Sequence, residues 1–220
     1  MDGAYRVGQL AGKFIFFCTM RLNTIRPEMS RREGGYLIAS THLGHLDPFL
    51  LGVIVDRQID WLTRVEFYRH PLISWLLDRL SAIKVRRFGV PVSAIRTAIS
   101  RLNDGRLVGI CPEGGVCCGS LSTMSGAPIK RGVGLLSYRT GVPVLPCAII
   151  GANRLSRIPP WLPFKRARLW VAFGDRLIEP RKDLGRKAAR EAMARELEHE
   201  YLKLFAELAR TYGLGEESLV

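Results

Sequence analysis

The chain has 220 residues, of which 47% are hydrophobic and 24% are charged, and this balance excludes a disordered chain and allows one sizeable globular domain. Its 33 Lys and Arg residues exceed its 20 Asp and Glu residues, so the net charge of +13 favours a polyanionic partner such as anionic lipid, a phosphorylated substrate or nucleic acid. Its five cysteines are odd in number and form no Cys-x-x-Cys pair, which indicates reduced thiols in a cytosolic compartment and not a disulfide framework.

The first predicted element is a short N-terminal helix. Its apolar run, residues 14–20, lies between Lys13 and Arg21 and is shorter than the roughly 20 apolar residues that span a membrane. It also lacks the small-residue cleavage site of a signal peptide. The pattern predicts an amphipathic helix on a membrane surface, and an ordinary helix packed on the domain would show the same pattern. We assign residues 1–33 to this N-terminal interfacial segment.

The rest of the chain alternates predicted strands and helices. The strands are predicted at residues 36–40, 59–63, 82–86, 107–111, 144–150 and 168–173. The helices are predicted at residues 47–55, 71–80, 93–103, 131–140 and 182–212. This alternation predicts a single α/β domain with a mixed, mostly parallel sheet flanked by helices. Its core would comprise residues 34–180, with residues 181–220 forming a C-terminal amphipathic helix packed on that core.

Two histidines and one carboxylate follow the predicted strand at residues 36–40. A neutral imidazole at His42 can take a proton from a hydroxyl when another group holds its second nitrogen. Asp47 can reach back across the turn to be that group. Asp47 also precedes Pro48 at the predicted start of a helix, so an N-cap is its alternative role. A metal pair formed by His42 and His45 is a further alternative.

Three other clusters lie at or just after predicted strand ends, where α/β folds place their sites. The adjacent guanidinium groups of Arg86 and Arg87 could clamp a phosphate, or they could form a solvated turn. Glu113, beside two glycines, could meet a ligand hydroxyl or face solvent. Pro146 lies inside a predicted strand, where it forfeits a ladder hydrogen bond, and this indicates an edge, a bulge or a shaped ligand wall. The loop at residues 158–164 is rich in proline and aromatic side chains that could enter an interface.

These four clusters, in this order, resemble the four sequence blocks of the glycerolipid acyltransferase family, whose best-known members are the 1-acylglycerol-3-phosphate acyltransferases. The resemblance covers about residues 36–150. Its blocks are the His-x-x-x-x-Asp motif, a block ending in arginine, a Phe-Pro-Glu-Gly-like block and a proline-bearing block, at residues 42–47, 81–87, 111–114 and 142–146. Thr41 and Gly44 stand where the family often has Asn and Ser, and Val116 stands where it commonly has Arg.

The resemblance implies an O-acyltransferase of phospholipid biosynthesis with His42 as general base and Asp47 as its partner. The donor would be acyl-CoA or acyl carrier protein, and the acceptor a lysophospholipid, with 1-acylglycerol 3-phosphate favoured over another lysolipid or glycerol 3-phosphate. The resemblance also implies that Arg87 binds the acceptor phosphate, that Glu113 and Gly114 hold the acceptor, and that Pro143 and Pro146 belong to the acyl-donor side. Lys130 with Arg131, or Arg86, could supply the phosphate contact that is lost where Val116 replaces arginine. We expect no metal and no cofactor, and a peripheral or monotopic position on an anionic membrane at its cytoplasmic face.

Two alternatives come from other functional classes. A cysteine-dependent hydrolase would use Cys117 or Cys118 with His42, although no base or helix N-terminus is visibly tied to either thiol. A nucleic-acid-binding module would use the net charge of +13. The chain lacks a recognised nucleic-acid-binding motif and lacks aromatic residues interleaved with its basic residues, so we expect no nucleic-acid partner.

Overall fold

The computed structural model describes residues 3–86, 92–152 and 167–219. Its strands are β1 (Met20–Ile25), β2 (Tyr36–Ser40), β3 (Ile59–Arg64), β4 (Ile83–Val85), β5 (Leu107–Ile110), β6 (Val144–Ile150) and β7 (Ala167–Phe173). Its helices are α1 (Gly3–Thr19), α2 (Asp47–Ile54), α3 (Pro71–Arg79), α4 (Val92–Asn103), α5 (Gly132–Thr140) and α6 (Arg186–Tyr212). Arg87 and the predicted loop at residues 158–164 lie outside the described residues.

The described strands form one seven-stranded sheet in the order β1-β7-β6-β2-β5-β3-β4. Every neighbouring pair is parallel except β6 and β7, which are antiparallel. The predicted α/β fold with a mixed, mostly parallel sheet flanked by helices is therefore confirmed. β2 lies in the interior of the sheet, with β6 on one side and β5 on the other.

Helices cover both faces of the sheet, which explains why its interior strands are apolar on both sides. On one face, α4, α5 and α6 pack on strand residues such as Leu37 and Val108. On the other face, α2 packs on Ile38 and Leu107, which alternate with the first pair along the same strands. The chain thus leaves β2 toward one face and leaves the adjacent β5 toward the other. Such a divergence opens a crevice at the carboxyl ends of parallel strands.

The edge strand β1 was not predicted from the sequence, and its residues 20–25 fall in the assigned N-terminal segment. This strand pairs in parallel with β7. Met20 is its one buried residue, so the apolar run typical of a buried parallel strand is missing from the sequence. Arg26 follows at a positive φ of 54° and donates to the carbonyl of Phe173 at 2.9 Å and to Glu207 on α6 at 2.7 Å. These bonds tie the edge strand to the core.

The predicted N-terminal helix is present as α1, and it packs on α2. Gln9 Nε2 donates to the carbonyls of Gly52 and Val55 at 2.9 and 2.7 Å, while Leu10 and Phe14 are exposed. One side of α1 therefore packs on the domain, and another side presents apolar residues to solvent. Within the described residues, every helix is too short or too polar to cross a membrane. The position of α1 on a membrane surface stays a prediction.

The C-terminal helix α6 begins at Arg186, slightly later than predicted. The apolar spacing of this helix predicts that six side chains face inward, and all of them are buried except Phe205, which is half-buried: Met193, Leu197, Tyr201, Leu204, Phe205 and Leu208. Tyr201 donates its hydroxyl to the carbonyl of Ala39 at 3.0 Å. This bond lets α6 hold the end of β2 at the point where the chain enters the loop to α2.

Candidate active site

The loop between β2 and α2 begins with a residue that remains attached to the sheet. The Thr41 N–H donates to the carbonyl of Cys147 at 3.0 Å, and Thr41 Oγ1 accepts from the N–H of Ile149 at 2.9 Å. Thr41 therefore extends the ladder between β2 and β6 by one residue. His42 follows directly, so it projects from a fixed point at the carboxyl edge of the sheet.

His42 and Asp47 lie side by side. His42 Nδ1 is 3.2 Å from Asp47 Oδ2, which also accepts from the N–H of Gly44 at 2.9 Å. The Asp47 side chain is completely buried, whereas that of His42 is 16% exposed. Burial raises the pKa of Asp47, and the hydrogen bond from His42 opposes this rise. A buried carboxylate at Nδ1 favours the tautomer with hydrogen on that nitrogen and leaves Nε2 free to accept a proton.

The alternative role of Asp47 as an N-cap is wrong. Asp47 is the first residue of α2, Leu46 occupies the cap position, and no side chain caps the helix there. Asp47 Oδ2 instead accepts from Gly44, three residues earlier in the chain. Asp47 Oδ1 is buried without a hydrogen-bond partner among the described residues. An unsatisfied oxygen on a buried carboxylate lowers stability, so it is retained where the carboxylate serves another purpose.

Glu113 follows β5 and holds the backbone of the neighbouring loop. Its Oε2 accepts from the backbone N–H of His42 at 2.6 Å. Its Oε1 accepts from the N–H of Thr123 at 3.0 Å and from the hydroxyl of Ser122 at 3.4 Å. Burial raises the pKa of Glu113, and these donors oppose the rise. The N–H of Cys117 donates to the carbonyl of His42 at 2.8 Å, so the loop after β5 holds both backbone groups of His42.

This geometry gives Glu113 a positioning role, because both of its oxygens are engaged within the protein. Its implied contact with the acceptor stays a prediction. The sequence could not reveal the positioning role, since the partner of Glu113 is a backbone group 71 residues away.

Two cations converge on Gly114. Arg64, the last residue of β3, donates from Nη2 to the carbonyl of Gly114 at 2.7 Å. Lys130 Nζ lies against Gly114, whose φ is +79°, so a side chain at this position would be strained and would collide with the lysine. The Lys130 N–H donates to the carbonyl of Pro112 at 2.8 Å. Lys130 was among the candidates predicted from the sequence, whereas Arg64 was not. The one signal for Arg64 in the sequence is a basic residue directly after a predicted strand.

The predicted phosphate clamp is only partly described. Arg86 is exposed and follows the edge strand β4. β4 is three strands from β2, which corresponds to about 14 Å at the usual strand spacing. Arg86 and His42 therefore both follow the carboxyl ends of parallel strands, but they are not neighbours.

The two prolines assigned to the donor side differ in position: Pro146 lies within β6 and Pro143 directly precedes it. Pro146 is buried opposite Ala39, and its carbonyl accepts from the N–H of Gly174 at 2.9 Å. It lies where the regular ladder between β6 and β7 ends, so its missing N–H falls at an irregular point of an interior strand. Pro143 precedes β6, and its carbonyl accepts from the N–H of Leu37 near the start of β2. Pro143 therefore lies at the amino end of the parallel strands β2 and β6, whereas His42 lies at their carboxyl end.

The thiols beside the site do not resemble activated nucleophiles. Burial raises the pKa of Cys117 and of Cys118. The charge of Glu113 adds to both rises, and the charge of Asp47 adds to the rise at Cys118. Cys118 also donates its thiol to the carbonyl of Leu43 at 3.3 Å. A nucleophilic cysteine needs a lowered pKa, so this geometry disfavours a cysteine-dependent hydrolase. Within the described residues, no three His, Cys, Asp or Glu side chains are grouped to hold a metal ion.

Three comparisons with known proteins each find acyltransferases. A family model described as "Acyltransferase" matches residues 21–150, which run from β1 to β6. The 1-acyl-sn-glycerol-3-phosphate acyltransferase of Bacillus subtilis is 30% identical over 146 residues, which are 66% of this chain and 68% of that protein. The crystal structure of the 1-acyl-sn-glycerophosphate (LPA) acyltransferase PlsC from Thermotoga maritima is similar with a TM-score of 0.66, and the match covers 89% of this chain and 78% of that chain. Its sequence identity is 21%, so this likeness shows the fold alone.

Proposed function

Since this chain belongs to the acyltransferase family, we propose that it transfers a fatty acyl group from an acyl thioester to the free hydroxyl of 1-acylglycerol 3-phosphate. The observation that carries the proposal is the pair of His42 and Asp47 at the crevice between β2 and β5. The ring of His42 is oriented by one buried carboxylate, and its backbone is held by another, that of Glu113. Such fixed geometry suits a general base.

In the proposed reaction, His42 Nε2 takes the proton from the acceptor hydroxyl while the hydroxyl oxygen attacks the thioester carbonyl. Asp47 stabilises the imidazolium that forms. An ester C–O bond forms and the C–S bond breaks, and His42 returns the proton to the departing thiolate. The atoms balance without a covalent enzyme intermediate, so the reaction requires no protein nucleophile.

Arg64 and Lys130 form the proposed subsite for the acceptor phosphate. Both cations reach Gly114, in the same loop as Glu113, and guanidinium and ammonium groups are the usual protein partners of phosphate. They supply positive charge to a loop in which Val116 stands where the resemblance leads one to expect an arginine. Arg86 and Arg87 remain candidates for a further contact.

An apolar cavity of about 460 Å³ between α1, β1 and α2 supports a lipid substrate. Its lining includes Phe16, Met20, Leu50 and Ile54. We assign this cavity to a fatty acyl chain, which needs an apolar surface of this kind. We also propose that the enzyme is a peripheral protein at the cytoplasmic face of an anionic membrane, since its net charge is +13 and part of α1 is apolar and exposed.

The test is an acyl-transfer assay with purified protein, radiolabelled acyl-CoA or acyl carrier protein, and matched acceptors with and without phosphate. We expect transfer to 1-acylglycerol 3-phosphate and much less to monoacylglycerol, which lacks the phosphate. Arg64→Ala should raise the KM for the phosphate-bearing acceptor more than it lowers kcat, because phosphate is bound in both the ground and the transition state. Equal kcat/KM for the two acceptors would overturn phosphate recognition, and the absence of transfer to any acceptor would overturn the proposed function.

A further inference from the structure

The connection between β3 and β4 carries a cluster of exposed apolar side chains. It consists of a 3₁₀ turn, Val65–Arg69, followed by α3. Five large apolar residues there are between 40% and 67% exposed, and we call them the α3 patch: Phe67, Leu72, Ile73, Trp75 and Leu76. Single exposed apolar residues are ordinary, but a contiguous group of this kind marks an interaction surface.

The α3 patch departs from what the sequence pattern predicts. Ile73, Leu76, Leu77 and Leu80 recur at helical spacing, which is typical of a helix that buries one face. In the structure, only Leu77 of α3 is buried. The helix therefore presents to solvent most of the apolar surface that its pattern would place in the core.

Charged side chains flank the α3 patch, with cations in slight excess. Arg69, Arg79 and Lys84 are exposed beside it, as are Glu66 and Asp78, and Asp78 pairs with Lys84 at 3.1 Å. Arg79 lies over the ring of Trp75 at 5.5 Å from its centroid. Lys84 Nζ similarly lies over the ring of Tyr68 at 4.2 Å. Aromatic side chains beside Lys and Arg are the combination that membrane interfaces favour, since the rings enter the headgroup layer while the cations meet anionic lipid.

The α3 patch also lies next to the proposed acceptor site. Arg64 contacts Gly114 at the end of β3, and the patch begins three residues later with Phe67. Both α2 and α3 link parallel strands in the same direction across the sheet, so right-handed crossovers place them on the same face. α1 packs on α2 and exposes Leu10 and Phe14. The apolar surfaces of α1 and α3 thus lie on one side of the sheet.

We propose that the α3 patch is a membrane-docking surface, which inserts its apolar side chains into an anionic lipid leaflet beside the acceptor site. This inference rests on the proposed function, because a lysophospholipid acceptor resides in a membrane. Docking through α3 lets such an acceptor bring its phosphate to Arg64 and Lys130 while its acyl chain stays in the leaflet.

The test compares two variants in co-sedimentation with phosphatidylcholine vesicles that contain or lack phosphatidylglycerol. The test variant is Leu72→Gln/Trp75→Gln, whose two side chains are exposed and whose loss leaves the core intact. The control variant is Leu202→Gln, which removes a 43% exposed apolar side chain from α6 on the opposite face of the sheet. We expect the test variant to bind anionic vesicles about tenfold more weakly than the wild type, because two apolar side chains no longer enter the leaflet. The control variant should bind like the wild type.

Acyl transfer to a short-chain acceptor, dissolved below its micelle concentration, separates docking from catalysis. We expect the test variant to retain wild-type kcat/KM there and to lose activity only on acceptors embedded in vesicles. Vesicle binding equal to that of the wild type would overturn the docking proposal and leave the proposed function standing. If vesicle binding depends on the α3 patch but the protein transfers no acyl group to any acceptor, the docking proposal stands and the proposed function is overturned. A wild-type dimer that dissociates in the test variant, as measured by sedimentation velocity, would identify the patch as a contact between copies and overturn membrane docking.

Discussion

Separate groups hold the ring and the backbone of His42. Asp47 contacts the ring nitrogen, and the carboxylate of Glu113 accepts the backbone N–H. Both carboxyl groups are buried, and burial raises the pKa of each. The donors that these carboxylates accept from offset only part of the cost of burying them. The result is an imidazole held in one orientation, as the proposed role of general base requires.

Replacing His42 by Ala tests the general base. We expect kcat for acyl transfer to fall by about 10²- to 10⁴-fold, the usual contribution of a positioned base. The fold should persist, because the side chain is partly exposed and its backbone bonds to Glu113 and Cys117 remain possible. Initial rates and a thermal melt measure these two effects. His45→Ala, at an exposed position in the same loop, is the control and should turn over normally, whereas near-normal turnover of His42→Ala would remove it from the mechanism.

Replacing Asp47 by Asn tests the buried carboxylate through pH. Since burial raises the pKa of Asp47 above its ordinary value of 3.8, the folded state binds the proton more tightly than the unfolded state. The free energy of unfolding of the wild type should therefore fall as pH rises from that value through the raised pKa. Asp47→Asn should lack this part of the fall and should lose most of its activity. Urea unfolding across this pH range measures the free energy of unfolding of both proteins. Parallel pH profiles would show that Asp47 does not cause the fall.

Replacing Glu113 by Gln separates positioning from acceptor binding. An amide has one oxygen and one donor nitrogen, so it cannot accept from both His42 and Thr123 as the carboxylate does. We expect kcat to fall by about tenfold or more while the acceptor KM changes little. Ser122→Ala removes only the 3.4 Å bond and should have a small effect. A raised acceptor KM with an unchanged kcat would instead assign Glu113 to direct acceptor binding.

At the scale of the elements, β5 brings the loop of Glu113 beside the loop of His42. Its close packing depends on Gly109, where a Cβ would lie 2.5 Å from the ring of Trp61 and 2.8 Å from Ile59 of the adjacent β3. The glycine thus allows the Trp61 ring to pack against the backbone of an interior strand. The spacing between β3 and β5 also determines whether Arg64 reaches Gly114.

We expect Gly109→Ala to lower the free energy of unfolding by about 1–3 kcal/mol through overpacking. Gly8→Ala is a matched control, because a Cβ there meets no atom within 4 Å, and alanine favours the helix α1. Urea unfolding midpoints measure both variants. A midpoint for Gly109→Ala equal to that of the wild type would show that Trp61 moves aside without cost.

At the scale of the whole molecule, the net charge of +13 and the exposed apolar side chains of α1 and α3 predict membrane binding with two components. The electrostatic component should weaken with salt, because the Debye length shortens from about 10 Å at 0.1 M to about 3 Å at 1 M. The apolar component should persist. Binding to anionic vesicles should therefore fall with salt toward the level seen for zwitterionic vesicles. Tight binding to a polynucleotide with a steep salt slope would instead favour a nucleic-acid partner.

The features that the sequence determined by itself are those encoded within one short segment. Alternation of apolar runs predicted the α/β class and the interior strands β2 and β6 with their bounds. The spacing of His42 and Asp47 also predicted that the two side chains can meet, because five residues across a turn keep them close in space. The resemblance to an acyltransferase family likewise depends only on local residue patterns and on their order along the chain.

Contacts between segments that are distant in the chain became visible only in the tertiary structure. Arg64 joined the site because β3 lies beside β5, and Glu113 became a support for His42 because β5 lies beside β2. The edge strand β1 and the exposure of α3 were hidden for the same reason, since burial depends on which partner a surface meets. Periodicity reports that a segment has an apolar face, and only the assembled chain shows whether the protein itself covers that face.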